Sequence, residues 1–210
     1  MSKKENKENK LTRINLITLG DGQVGKTSLI LRYTEDYFST NYLTTIGIDC
    51  KFKNEKLKNG EEITVKISDT AGQEKFRSIA TNFLKKADGI ILVYDITYKK
   101  SFENLNRWFK DINENTTGMP IILLGNKMDL EENRAVSTEE GIEFAKKISE
   151  DIEFYETSCK TGENIKEAIK YLIEKIYKKY QGKNLVEDSI IIKKEHKNKK
   201  NKKDKKRCCE

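Results

Sequence analysis

The run Gly20-Asp21-Gly22-Gln23-Val24-Gly25-Lys26-Thr27 places two glycines, a lysine and a hydroxyl at the spacing G-x-x-x-x-G-K-[ST]. Those types at that spacing suit one task, cradling a chain of phosphates. Gly20 and Gly25 admit backbone conformations that a Cβ would obstruct, so successive amide N–H groups can turn toward one anion. Lys26 supplies a mobile cation for the outer phosphates, and the Thr27 hydroxyl can ligate a magnesium ion (Mg2+) that bridges them. Ser28 opens a helical pattern whose positive end adds to the attraction. The bland alternative is a Gly-rich turn without a ligand. The apolar run Ile14–Leu19 before it and the helical pattern after it argue against that.

Two further motifs carry chemistry. Asn126-Lys127-Met128-Asp129 follows the apolar run Ile121–Gly125. Guanine presents two adjacent donors, N1–H and the exocyclic amine, which one carboxylate accepts as a bidentate pair. Adenine presents an acceptor at that edge and is repelled, so Asp129 selects guanine and disfavours an ATPase. Asp69-Thr70-Ala71-Gly72-Gln73 follows the run Ile63–Ser68. There Asp69 can hold the metal, Gly72 can present its N–H to a terminal phosphate, and Gln73 can orient an attacking water. A loop that touches a terminal phosphate must relax when it leaves, which implies a switch. Gln73, Lys26 and Gly72 are the candidate catalytic groups.

Six strand-like runs must position these motifs: Ile14–Leu19, Cys50–Leu57, Ile63–Ser68, Gly89–Asp95, Ile121–Gly125 and Ile152–Thr157. Helical patterns cover Lys26–Tyr33, Phe76–Lys85, Phe102–Asn113, Thr138–Ser149 and Ile165–Tyr180. Asn59-Gly60 signals a tight hairpin between the second and third strands. The continuous apolarity of the fourth and fifth runs predicts strands buried on both faces. The expectation is one α/β domain: a six-stranded, mostly parallel sheet with one antiparallel strand and about five flanking helices. Each motif then lies just past a strand's carboxyl end, where such folds bind ligands. Trp108 reads as packing on a helical face, and His196, the one histidine, as uninvolved in chemistry.

The ends differ from the middle. Residues 1–10 and 181–210 are polar and charged, which predicts disorder around a domain spanning 11–180. From Lys183 onward eleven Lys/Arg face five Asp/Glu, a net of +6 against +7 for the whole chain. The domain is thus near neutral and the tail carries the field, which suits an anionic membrane, nucleic acid or an import receptor. Cys50, Cys159, Cys208 and Cys209 match neither a disulfide framework nor a zinc site. No signal-peptide core, transmembrane run or myristoylation glycine is present. These features predict a protein of a reducing, intracellular compartment.

In order and spacing the three motifs resemble the small GTPases of the Ras superfamily, over about residues 11–180. Thr45-Ile46-Gly47-Ile48-Asp49, with FRSI, LVYDIT and the paired terminal cysteines, is most similar to Rab proteins. IGID leans toward their secretory-vesicle branch. The resemblance implies that GTP and GDP are the ligands. It implies that the Thr45 hydroxyl joins Thr27 and Asp69 on magnesium, and that Phe38 packs on the guanine ring. Asn126 and Asp129 would read the base, Lys127 would lie along its face, and Ser158, Cys159 and Lys160 would offer backbone amides to the guanine oxygen. Gly22 would leave room for Gln73. Cys208 and Cys209 resemble the C-C-x ending, which implies geranylgeranyl groups on both.

The resemblance also implies a monomer at the cytosolic face of an intracellular or plasma membrane, cycling with the cytosol. Exchange factor, activating protein, effectors and escort or dissociation-inhibitor proteins would be its partners, and nucleic acid is disfavoured. Three departures stand out: Cys50, Ser68 and Phe83-Leu84 replace aromatics of the effector-facing patch. Two alternatives remain, a pseudo-GTPase scaffold that binds GTP or GDP without turnover and a soluble nuclear-type GTPase using its basic tail.

Overall fold

Two strands buried from end to end set the architecture. All seven residues of β4 (Gly89–Asp95) and all six of β5 (Ile121–Asn126) are buried, as continuous apolar runs require when helices cover both faces. The computed structural model describes residues 11–40, 45, 47–70 and 82–181. The other strands are β1 (Arg13–Leu19), β2 (Ile48–Lys56), β3 (Glu62–Thr70) and β6 (Glu153–Thr157). They form one sheet in the order β2-β3-β1-β4-β5-β6. Only β2 runs antiparallel, against β3, and the remaining pairs are parallel. The expected sheet is therefore the observed one.

The hairpin between β2 and β3 closes through Asn59-Gly60: Gly60 has φ +87° and donates its N–H to the Leu57 carbonyl at 2.9 Å. Helix α1 (Lys26–Glu35) follows β1. The pattern expected over Phe102–Asn113 is broken at Asn104 into α2 (Lys99–Glu103) and α3 (Leu105–Asn115). Leu105, Trp108 and Ile112 recur at helical spacing, and α3 buries them against Ile17, Leu19, Leu92 and Leu123. A 3-10 segment, Met128–Asn133, follows β5. Helix α4 (Thr138–Ile148) begins at a full capping box. There the Ser137 hydroxyl accepts from Glu140 N–H, and the Glu140 carboxylate accepts from Ser137 N–H. Helix α5 starts at residue 165.

The chain divides into two units, one ending at Ile176 and one starting at Tyr177. Of the pattern expected at Phe76–Lys85, only residues from 82 onward are described, and 82–84 are helical. No helix among the described residues is long and apolar enough to cross a membrane.

Gly141 shows how tightly α4 meets the sheet. A Cβ there would stand 2.5 Å from Phe154 Cζ and 2.7 Å from the Tyr94 hydroxyl. Alanine is the better helix former by about 1 kcal/mol, whereas overpacking a filled site costs about 1–3 kcal/mol. Gly141→Ala is therefore expected to lower the denaturation midpoint at unchanged m-value. A raised midpoint in equilibrium unfolding would contradict the packing described.

Candidate active site

The sheet reverses its order about β1, which opens a crevice past the strand carboxyl ends. A cavity of about 1340 Å³ occupies it, with walls from residues 21–28, Phe38, Thr45, Asn126-Lys127, Asp129 and Cys159-Lys160. Two of the sequence motifs, Gly20–Thr27 and Asn126–Asp129, thus meet in one place, with Thr70 from the described part of the third.

The loop after β1 folds as its glycines require. Gly20 has φ +138°, and a Cβ there would fall 2.1 Å from the Val93 carbonyl oxygen. Gly25 has φ +101° and a Cβ would fall 2.3 Å from Asn126 Nδ2. Gly25 is also the N-cap of α1, and no side chain caps that helix. The first-turn N–H groups are therefore left for an anion. Lys26 Nζ donates to the carbonyls of Gly20 at 2.8 Å and Asp21 at 2.6 Å. Burial holds the Lys26 ammonium down to about 8, against the opposing pull of Asp69 and Asp21. An ammonium that lacks a full counter-charge in a dry cradle is ready for phosphate.

At the metal corner, Thr27 Oγ1 donates to Asp69 Oδ2 at 2.7 Å, and the two hydroxyls of Thr27 and Thr45 lie 2.8 Å apart. Thr45 Oγ1 reaches the same carboxylate oxygen at 3.4 Å. Asp69 Oδ1 is buried without a hydrogen-bond partner, and burial raises the carboxyl above its usual range. Two hydroxyls and one unsatisfied carboxylate oxygen suit magnesium, which takes few protein ligands and completes its shell with water and phosphate.

The base end is assembled from three segments. Asp129 Oδ1 accepts from the Ser158 hydroxyl at 2.6 Å, which aims the carboxylate. Lys127, at φ +72°, is tied by Nζ to Asp95 Oδ2 at 2.6 Å. Asn126 is 1% exposed, and its amide is engaged within the protein. Nδ2 donates to the Val24 carbonyl at 2.8 Å, and Oδ1 accepts from Cys159 Sγ at 3.3 Å and Thr157 Oγ1 at 3.4 Å. Cys159 stands where the family pattern has alanine; it is 4% exposed, and burial pushes its thiol up to about 12. It acts as a small wall residue.

Several contributors carried no signal in the sequence. Arg32 on α1 donates Nε to the Cys159 carbonyl at 2.8 Å and Nη2 to the Lys160 carbonyl at 2.9 Å. Its guanidinium also stands 5.9 Å from the Phe38 ring centre. One side chain thus positions both the 158–160 loop and the aromatic wall. Trp108, expected only to pack, also lines the cavity together with Asn104. Gly72, Gln73, Cys208 and Cys209 lie outside the described residues.

Two of the three departures from the family pattern share the β2–β3 face. Cys50 and Ser68 are cross-strand partners, with Sγ and Oγ 3.7 Å apart. Phe52, two residues along and on the same face, is 55% exposed. Leu84 is buried at 2%, and Phe83 packs against the core cluster.

Comparison with known proteins agrees with the geometry. Residues 15–178 match the family model for Ras. The chain is 46% identical over 169 residues to the Ras-related protein Rab-13 of Canis lupus familiaris, covering 80% of this chain and 82% of that one. It is 44% identical over 165 residues to the Ras-related protein Rab-10 of Diplobatis ommata, covering 78% and 81%. It is also 43% identical over 166 residues to the GTP-binding protein ypt2 of Schizosaccharomyces pombe, covering 79% and 82%. With an Asp129 carboxylate at one end of the cavity and a Lys26 cradle at the other, the chain belongs to the Ras family as a Rab-type small GTPase, an enzyme that hydrolyses GTP.

Proposed function

We propose that this chain is a membrane-anchored switch in vesicle-mediated transport, which recruits effectors in its GTP form and releases them after hydrolysis. The observation that carries the switch is the Thr27–Thr45–Asp69 corner. Thr45, in the segment between α1 and β2, shares one carboxylate with a residue of the phosphate cradle. Contacts that hold Thr45 there couple that segment to the phosphates.

The residues divide the work. Backbone N–H groups of 21–28 and Lys26 bind the phosphates, and Asp129 reads the guanine edge. The Asn126 amide fixes the two ends relative to each other, while Arg32 holds the 158–160 loop in place. Magnesium, held by Thr27, Thr45 and Asp69, would neutralise charge developing on the phosphates. Gln73 orients the attacking water and Gly72 meets the terminal phosphate. No histidine, serine or cysteine base is needed, because phosphoryl transfer depends on positioning and electrostatics. Intrinsic turnover is slow and an activating protein accelerates it, by up to ~10⁵-fold in related enzymes. An exchange factor reloads GTP, and escort or dissociation-inhibitor proteins carry the lipidated form. The basic tail and geranylgeranyl groups on Cys208 and Cys209 supply the two signals that stable membrane anchoring requires. The changed β2–β3 face, with Phe52 exposed beside Cys50 and Ser68, favours effectors other than those that grip an aromatic patch.

Three outcomes test this reading. Asp129→Asn places an amide donor against the guanine donors, so GDP and GTP affinity should fall at least ~100-fold. Xanthine nucleotides, with an oxygen in place of the amine, should gain by competition binding; unchanged guanine selectivity overturns the base assignment. Gln73→Leu should keep GTP binding and lose stimulated single-turnover hydrolysis. Wild-type rates in that variant exclude its catalytic role, and no turnover in the wild type with its activator favours the scaffold alternative. Cys208→Ser/Cys209→Ser made in cells should lack two C20 lipids by intact mass and leave the membrane fraction for the soluble one. A wild type without lipid favours the soluble alternative.

A further inference from the structure

Asp21 puts a carboxylate one residue past Gly20, in the wall of the cavity that Lys26 and Thr27 also line. A negative side chain beside a polyphosphate repels what the cradle is built to hold. Helix α3 meets that charge with one donor for each oxygen. Trp108 Nε1 donates to Oδ1 at 2.8 Å and Asn104 Nδ2 donates to Oδ2 at 2.6 Å. Asn104 is the N-cap of α3, where an asparagine side chain ordinarily satisfies its own helix. Here it makes no capping bond and turns instead to a residue 83 positions away. Trp108 lies four residues further on the same helical face, 6% exposed, its ring packed in the core cluster with Leu105 and Ile112. The positive end of this eleven-residue helix favours the carboxylate as well. Asp21 meanwhile accepts Lys26 Nζ on its backbone carbonyl at 2.6 Å, so one residue joins α3 to the phosphate-binding lysine.

We propose that Asn104 and Trp108 are positioning residues that hold the Asp21 carboxylate on the α3 side of the phosphate cradle, and thereby set the relative affinity for nucleoside triphosphate over diphosphate. The inference rests on the guanine-nucleotide reading of this cavity. The physical reason is charge. A triphosphate carries more negative charge than a diphosphate, so a carboxylate freed from its two donors penalises GTP more than GDP. The neutral donors remove that penalty without placing another cation in the cradle.

Full-length wild type, Asn104→Ala/Trp108→Phe, and the same pair with Asp21→Asn should be compared for GDP and GTP affinity in magnesium buffer. The double variant is expected to raise the ratio Kd(GTP)/Kd(GDP) about tenfold, the order expected when one further phosphate charge faces an unshielded carboxylate in a site partly open to water. Adding Asp21→Asn, which deletes the charge and keeps the shape, should bring the ratio back to within about threefold of wild type. Trp108→Phe alone keeps an aromatic ring in the core and should shift the ratio in the same direction by less, serving where the double variant does not fold. Equal loss of both affinities, or a ratio that Asp21→Asn does not restore, reduces Asn104 and Trp108 to packing and overturns the proposal. Wild type that binds neither nucleotide overturns the parent reading instead, so the two failures are distinguishable.

Discussion

One buried amide holds the two ends of the site in register. Asn126 stands at the carboxyl end of β5 and the phosphate loop at the carboxyl end of β1, two strands apart. The Asn126 Nδ2 bond to the Val24 carbonyl, at 2.8 Å, spans that gap. It fits because residue 25 has no Cβ to fill the same space. The opposite atom of the same amide accepts from Thr157 and Cys159. Three segments far apart in the chain therefore converge on a single planar group, 1% exposed. In so dry a setting each bond is strong and each unmet partner costly, so the arrangement is held as a unit. A ligand gripped at its base and at its phosphates requires that unit to be rigid.

Around this fixed point lie groups in environments that suit a partner they meet only on binding. Lys26 is buried at 5% with its ammonium turned back on two carbonyls. Asp69 keeps one oxygen unpartnered at 4% exposure. Desolvation acts against both charges, lowering the lysine and raising the carboxyl. Strained electrostatics of this kind mark functional sites, because binding relieves them. The capping box of α4 carries the opposite signature, with the N–H groups of Ser137 and Glu140 both satisfied.

Much of this could be read from the residues in order. The six strands, the hairpin at Asn59-Gly60 and the α4 start at Ser137 follow from local patterns that tertiary contacts do not override. The three motifs were legible because, in each, the spacing of a few residue types along the chain is itself the signal. The break between α2 and α3 at Asn104 was not legible, since apolar periodicity continues across it. Nor were the roles of Arg32, Asn104 and Trp108. Each acts on a partner 83 to 128 positions away, and no spacing along the chain encodes such a pairing. The direction of the Asn126 amide belongs to the same class: its motif announces a base-reading loop, yet the side chain spends its hydrogen bonds joining the protein to itself.

Cys159 gives the base pocket a property that an alanine there would not. Its thiol is 4% exposed and burial makes it resist ionisation, so electrophiles and mild oxidants meet a poorly reactive wall there. Cys50, half-exposed on the β2–β3 face, has no such shelter. An alkylating reagent would therefore mark Cys50 well before Cys159, which is 4% exposed and harder to ionise.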